Sequence, residues 1–165
     1  MKSKQVVELL CGPIASGKSS YSKKKALEGY IIINDDAIVN AIHCNHYGLY
    51  SVDLKPLYKG IENTALHTAL ALGKSVIIDR PNYSKAMRRR YIAIASSLDV
   101  PVVAVKFEDA GAKEHASRRV KSDNRGGRLE YWMEVYEAHK KLYEEPSLDE
   151  GLSGIIIADT KYFLE

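Results

Sequence analysis

The stretch VVELLCGPIASGKSS, residues 6–20, decides the fold of this chain. Its second half, Gly12 to Ser19, matches the phosphate-loop pattern GxxxxGK[ST] at every fixed position. The pattern needs a strand before it and a helix after it, because the loop presents its backbone N–H groups to phosphate from that turn. Both are predicted here, a strand over residues 6–11 and a helix over residues 18–28. A glycine-rich turn that binds nothing is the alternative, and this context argues against it.

Each fixed residue of the loop has a task in holding a triphosphate. Glycine lets the backbone approach closely, and the lysine ammonium supplies a point charge to the β- and γ-phosphates. The hydroxyl of the last serine is placed to bind Mg²⁺ at the N-terminus of a helix. The predicted metal ligand is therefore Ser19. The predicted nucleotide contacts are Gly12, Ala15, Ser16, Gly17, Lys18, Ser19 and Ser20.

Length and composition predict a single globular domain over residues 1–165. A chain of 165 residues with 45% hydrophobic content can bury one sizeable core, and a net charge of +3 does not imply a surface coated by a polyanion. Cys11 and Cys44 are too few for a disulfide framework or a zinc site, and both are predicted to be buried thiols. No signal-peptide or membrane-spanning run is seen, so we expect a cytoplasmic location and no membrane partner.

Five short runs rich in β-branched residues predict five strands, because near-continuous apolar strands are typical of a buried parallel sheet. The runs are residues 6–11, 30–34, 75–79, 100–107 and 154–158. Apolar residues recur at helical spacing over residues 57–72 and 87–98, between these runs. Alternation of strand and helix predicts a doubly wound α/β domain with a five-stranded parallel sheet. In such sheets ligands gather at the carboxyl ends of the strands.

Acidic residues follow three of the predicted strands at that edge. Asp35 and Asp36 follow the second strand, Asp79 ends the third, and Asp159 follows the fifth. Phosphoryl transfer needs one carboxylate to orient or deprotonate the attacking hydroxyl, and often another near the metal. One of Asp35 and Asp36 is therefore a candidate catalytic base, with Asp35 favoured, and the helix N-cap is the alternative role for either. Asp79 is typical of a Walker-B carboxylate, whereas Asp159 is interpreted as a turn or cap residue.

Two basic segments follow. The first, RRVKSDNRGGR from Arg118 to Arg128, predicts a mobile lid over about residues 111–128, because arginines that arrive from outside stabilise charge on a transferred phosphoryl group. A solvated helix end is the alternative. The second, KAMRRR from Lys85 to Arg90, is a helical face that either holds a nucleic-acid backbone or faces water. Tyr83 and Tyr91 nearby could stack on a base.

A last amphipathic helix is predicted within residues 130–150, with Pro146 ending it. Its apolar face is expected to pack on the sheet. That face comprises Tyr131, Val135, Ala138 and Leu142.

Taken in order, these features resemble the kinase domain of phage-type 5′-hydroxyl polynucleotide kinases and their P-loop kinase relatives, over residues 5–146. The resemblance implies a P-loop kinase-type three-layer sandwich with an arginine-rich lid, ATP as phosphate donor and Mg²⁺ as cofactor. It implies that Lys18 and Ser19 contact phosphate and metal, and that Asp35 is the general base. Asp79 matches the carboxylate after the third strand. The lid arginine matches Arg125 best, with Arg119 as the alternative.

One departure from the family concerns the acceptor. The family has an arginine for the acceptor phosphate three residues after its catalytic Asp, where this chain has Ile38. From the resemblance and the basic segment Lys85 to Arg90 we expect an ATP-dependent kinase that phosphorylates a hydroxyl of a nucleic acid, and we keep three alternatives. These are a kinase for hydroxymethylated pyrimidine bases in phage DNA, a small-molecule kinase for a nucleoside, nucleotide or sugar, and a regulatory P-loop NTPase.

Overall fold

A five-stranded parallel sheet forms the centre of the protein in the computed structural model, which describes residues 5–122 and 126–159. The strands are β1 (Val7–Cys11), β2 (Ile31–Ile33), β3 (Val76–Ile78), β4 (Val102–Lys106) and β5 (Gly154–Ile157). Their spatial order is β2-β3-β1-β4-β5, and every neighbouring pair is parallel. Each strand lies inside a run that the sequence predicted, so the predicted α/β fold is confirmed.

Helices cover both faces of this sheet. Those in the described residues are α1 (Lys18–Leu27), α2 (Asp35–Ile42), α3 (Lys55–Ala71), α4 (Lys85–Ser96), α5 (Ala112–Ser122) and α6 (Leu129–Lys141). Successive side chains of β1 point to opposite faces, so Leu9 packs in a core with residues of α3 and α4, whereas Leu10 packs with Tyr21 of α1. In the part of the chain that the structure describes, no helix is both long and apolar enough to cross a membrane.

The loop after β3 is tied to the centre of the sheet by Asn82. Its side-chain amide donates hydrogen bonds to the backbone carbonyls of Leu10, Ile78 and Arg80, at 2.8, 3.2 and 3.1 Å. Asn82 is fully buried and has a φ of 44°, a conformation that asparagine tolerates better than most residues. The carboxyl ends of β1 and β3 are thereby held side by side, which fixes the segments that follow them.

The predicted packing face of the last long helix is wrong. Tyr131 and Leu142 are 54% and 56% exposed, and the buried side chains of α6 are Trp132 and Tyr136. The reason is that α6 packs mainly against α5 and not flat on the sheet, so a different stripe of the helix is covered. The helix also ends at Lys141, before Pro146.

The basic segment from Lys85 to Arg90 is not an open basic face. Arg88 is fully buried, and its Nε and Nη2 each donate to the Glu150 carboxylate at 2.8 Å. Arg90 is bound to the buried Glu62, while Arg89 is exposed. Tyr91 of the same helix is fully buried, which rules it out as a platform for a base. The segment therefore contributes to the core and gives no support for nucleic-acid binding.

Replacing Arg88 by Met should destabilise the fold by about 3–5 kcal/mol, because the buried Glu150 carboxylate would lose its charged partner. Arg89→Met is the matched control, since this neighbour is exposed, and its effect should stay within about 0.5 kcal/mol. Urea denaturation of both variants measures the difference. Equal stability of the two variants would contradict the structural role of Arg88.

The two cysteines differ in environment. Cys11 is buried at the end of β1, and burial raises the pKa of its thiol to about 12. Cys44 is exposed, so the prediction that both thiols are buried is wrong for Cys44. It lies two residues beyond α2 with a φ of 51°, at the start of a run of exposed residues.

Candidate active site

The phosphate loop joins β1 to α1, as its sequence predicted. Glycine is needed at two of its positions, for a different reason at each. A Cβ at Gly12 would lie 2.8 Å from the Cβ of Phe107, so only glycine fits beside the chain that leaves β4. Gly17 has a φ of 100°, in the left-handed region that favours glycine, and precedes the first residue of α1. Close packing at the start of the loop and a sharp turn at its end together shape it.

Lys18 is folded into this loop. Its ammonium donates to the carbonyl of Gly12 at 2.9 Å, to the Ser16 hydroxyl at 3.3 Å and to the carbonyl of Pro13. Burial lowers the pKa of Lys18 to about 8, although the nearby Asp79 carboxylate acts in the opposite direction. A partly desolvated ammonium gains from an anionic partner, so this geometry suits a phosphate. Ser19 and Ser20 are exposed in the first turn of α1, where a hydroxyl can reach a metal ion.

Asp79 follows β3 directly and is buried beside Lys18. Its backbone N–H donates to the carbonyl of Ile33 at 2.8 Å, and its own carbonyl accepts from the side-chain amide of Asn34 at 3.1 Å. These bonds join the ends of β2 and β3. Burial raises the pKa of Asp79, and hydrogen bonding and the Lys18 charge oppose that rise. The fold therefore places this carboxylate between the phosphate loop and the residues that follow β2.

The helix N-cap after β2 is Asn34 and neither aspartate. The Ala37 N–H donates to Asn34 Oδ1 at 2.9 Å, which leaves the carboxylates of Asp35 and Asp36 available for other contacts. Asp35 pairs with Arg80, with 3.0 Å between Oδ2 and Nη2. Burial raises the pKa of Asp35, and the Arg80 guanidinium counteracts part of that rise. Asp36 accepts a hydrogen bond from the Tyr47 hydroxyl at 2.9 Å.

Sequence reasoning did not single out Arg80. Its guanidinium lies between Asp35 and the buried Glu62, with 3.2 Å from Nη1 to Glu62 Oε1, and Nη1 also lies 3.3 Å from the Tyr91 hydroxyl. Arg90 contributes a second cation to Glu62. Its position directly after Asp79, at the end of a strand, could have marked Arg80 as a candidate site residue. Arg80 supplies a cation beside Asp35.

Helix α5 carries His115 and Arg119, one of the two candidate lid arginines. His115 is fully buried, and its Nε2 accepts from the Ala110 N–H at 2.9 Å. The Arg119 guanidinium lies 4.9 Å from the centre of the Trp132 ring. Its charge, in addition to burial, lowers the pKa of Lys18. Arg125, the other candidate lid arginine, lies outside the described residues.

Comparison with known proteins agrees with this architecture. The family model described as an AAA domain matches residues 7–146, most of the chain. No curated protein sequence matches.

Three solved structures give the range of similar folds. Kti12 from Chaetomium thermophilum, in complex with ADP-AlF3, is 18% identical, with a TM-score of 0.59 and coverage of 94% of this chain and 92% of that one. A fungal RNA kinase is 15% identical, with a TM-score of 0.59 and coverage of 95% and 77%. A gluconokinase from Sinorhizobium meliloti is 19% identical, with a TM-score of 0.57 and coverage of 96% and 83%. At identities this low the likeness shows a shared fold alone, which is P-loop kinase-like. The RNA kinase and the gluconokinase are named for different acceptors.

Proposed function

The chain belongs to the AAA domain family, and from that premise we propose that it is an ATP-dependent kinase that transfers the γ-phosphoryl group to a hydroxyl. The observation that carries this proposal is the half-buried Asp35 carboxylate, held by Arg80 at the same sheet edge as Lys18. Nucleotide binding alone does not need such a carboxylate. A hydroxyl acceptor does, because its proton must leave as the new O–P bond forms.

The residues divide the work as follows. Lys18 and the loop N–H groups bind the phosphates of ATP, and Asp35 orients the acceptor hydroxyl and takes its proton. Arg80 positions the Asp35 carboxylate and favours its ionised form. Asp79 lies beside Lys18 and supports the metal side of the site, where Ser19 would hold Mg²⁺. That ion, when bound, neutralises charge on the β- and γ-phosphates.

Arg119 completes this assignment. Its charge acts at Lys18, and in the closed site it would stabilise the charge of the transferred group. Catalysis then rests mainly on positioning and charge stabilisation, because phosphoryl transfer leaves little covalent chemistry to the protein.

For the acceptor we favour a nucleic acid, as in a polynucleotide kinase-like enzyme. The fungal RNA kinase fits this choice and the gluconokinase fits a small-molecule acceptor, while Kti12, in complex with ADP-AlF3, is named for no acceptor. The residues after β2 and β3 determine which acceptor can bind, since the acceptor must reach Asp35 there. The Lys85–Arg90 segment no longer contributes to this preference because it is largely buried or paired.

Transfer of labelled γ-phosphate from ATP to a panel of acceptors tests the proposal. The panel contains 5′-hydroxyl DNA and RNA oligonucleotides, DNA with hydroxymethylated pyrimidines, free nucleosides and gluconate. Label on a polynucleotide supports the favoured acceptor, and label on gluconate alone would replace it by a small molecule. Release of free phosphate with no labelled acceptor would contradict the kinase proposal and favour a regulatory NTPase.

The affinity for ATP should fall as the pH rises above about 8. Lys18 has a pKa of about 8 in the nucleotide-free protein, and bound phosphate raises it by favouring the charged ammonium. Affinity is therefore full below this pKa and falls by up to about tenfold per pH unit above it. Calorimetric titration from about pH 7 to 9 measures this, and Lys18→Arg should remove the slope because arginine stays charged. A slope that persists in Lys18→Arg would assign the titration to another group.

A further inference from the structure

A cavity of about 730 Å³ lies between the segment after α2 and the start of α6. Aromatic rings occupy both sides of it. Tyr47 forms one wall, and Tyr131 and Trp132 form the other. The remaining lining residues are Gly126, Gly127, Arg128, Glu130 and Glu134.

On each side of this cavity, a lining residue contacts a residue of the candidate site or its neighbour. The Tyr47 hydroxyl donates to the Asp36 carboxylate, which adjoins Asp35. Trp132 packs under the guanidinium of Arg119, whose charge acts on Lys18. A molecule in the cavity would therefore contact the hydrogen-bond partner of Asp36 on one side and the ring that packs against Arg119 on the other. The acceptor in the proposed reaction has to come close to both the candidate base and the candidate arginine, so this cavity is a candidate for its binding.

The walls are held in place before any ligand arrives. Tyr47 stacks on Tyr50 with 6.2 Å between ring centres and 8° between planes, and Tyr50 stacks on Tyr58 at 5.5 Å and 20°. The Tyr58 hydroxyl is fixed by His43 at 3.0 Å. On the other wall, Gly127 packs so closely that a Cβ would lie 2.4 Å from Trp132 Nε1. Preorganised walls reduce the entropy lost when a ligand binds.

We propose that this aromatic cavity binds the base of a nucleoside or nucleic-acid acceptor, an inference that rests on the proposed kinase function. Every base has a π-face that stacks on tyrosine or tryptophan irrespective of sequence. Tyr131 presents such a ring, since it is 54% exposed and meets Trp132 edge-on at 4.9 Å. A planar ligand can therefore stack on the rings of both walls, whereas an open-chain sugar acid cannot.

The charges around the cavity favour a base over a phosphate or a sugar acid. Glu130 and Glu134 can accept hydrogen bonds from exocyclic amino groups, and both repel anions. Arg128 is the cation among the described lining residues, and it can contact a phosphate at the rim. The carboxylates therefore direct the base inward and leave the phosphates of a strand outside.

The test uses Trp132, the single tryptophan of the sequence, as a reporter inside the cavity. A 5′-hydroxyl dinucleotide is titrated into the full chain without ATP, with gluconate as the comparison ligand. Trp132 fluorescence and calorimetry follow the same equilibrium, so a fluorescence-silent complex is still detected. We expect saturable binding of the dinucleotide and none of gluconate.

Three variants locate the site. Tyr131→Ala should weaken dinucleotide binding by roughly tenfold or more, the value of one lost base–aromatic stack, while Tyr131→Phe should bind within about twofold of the wild type. Leu142→Ala is the matched control, because Leu142 lies just beyond the other end of the same helix and is 56% exposed, and it should bind normally. Circular dichroism confirms that each variant is folded.

The outcomes separate this inference from the proposed function. Unchanged affinity in Tyr131→Ala, or binding of gluconate in place of the dinucleotide, overturns the base site even if phosphate is transferred to some acceptor. Dinucleotide binding that depends on Tyr131 supports the base site. If no acceptor is then phosphorylated, the kinase proposal fails while the base site stands.

Discussion

Replacing Asp35 by Asn will lower kcat for phosphoryl transfer by roughly 10²–10⁴-fold, the usual contribution of a general base. The amide keeps the size of the carboxylate but cannot take the acceptor proton. It also weakens the contact with Arg80, which pairs with Asp35 Oδ2 at 3.0 Å in the wild type. Single-turnover transfer of labelled phosphate to the acceptor found in the panel measures the loss. ATP affinity, measured separately, should change little.

Asp36→Asn is the matched comparison, since Asp36 is adjacent and contacts Tyr47. Its kcat should stay within about tenfold of the wild type, because an amide oxygen can still accept the tyrosine hydrogen bond. If Asp36→Asn lost activity and Asp35→Asn kept it, the base would be reassigned to Asp36. If both variants kept full transfer activity, neither aspartate would be the general base and the proposed mechanism would be contradicted.

The pH profile offers a further check on the same residue. Burial raises the pKa of Asp35 from its ordinary value, and a base must be ionised to accept a proton. Transfer should therefore be full above this raised pKa and should fall as the pH drops through it, with the loss starting at higher pH than an ordinary aspartate would give. The acidic limb should disappear from the residual activity of Asp35→Asn.

Replacing Arg119 by Met will lower kcat by roughly 10³–10⁵-fold, the range of an arginine that stabilises the charge of the transferred phosphoryl group. Arg119 lies on α5 with its guanidinium against Trp132, and its charge acts at Lys18. Arg119→Lys should recover only part of the rate, since an ammonium lacks the planar, two-pronged donor geometry of guanidinium. Rapid-quench measurement of the transfer step isolates this effect from product release.

Arg118→Met serves as the control from the same helix turn. Arg118 is about half exposed and pairs with Glu114 at 2.7 Å, so its loss should leave transfer within about twofold and stability within about 0.5 kcal/mol. Arg125→Met tests the other candidate. A large loss in Arg125→Met with a normal rate in Arg119→Met would move the arginine role to the segment between α5 and α6.

Much of the fold followed from local patterns. The five β-branched runs became five parallel strands, and the central strands β1 and β3 are buried throughout, as near-continuous apolar runs predict. The phosphate loop was equally direct, since its pattern and flanking elements are short-range. The helix cap after β2 was not settled in this way, because Asn34, Asp35 and Asp36 are all good capping residues and only the backbone geometry selects Asn34.

Charges in the middle of helices were the least predictable feature. Arg88 and Arg89 look alike in sequence, yet one is fully buried against Glu150 and the other is exposed. Glu150, the partner of Arg88, lies far along the chain, so helical spacing gives no sign of which arginine faces the core. The same holds for α6, where the neighbouring α5 and not the sheet decides that Trp132 is covered and Tyr131 is exposed.

The sequence by itself determined the phosphate loop, the parallel α/β sheet and the edge of that sheet where the acidic residues gather, because each depends on residues close together in the chain. Only the tertiary structure decided that Arg80 pairs with Asp35 and that Tyr47 faces Tyr131 and Trp132 across a cavity. Those contacts join segments separated by dozens of residues. They depend on strand order and helix packing, which fix distances that no local pattern contains.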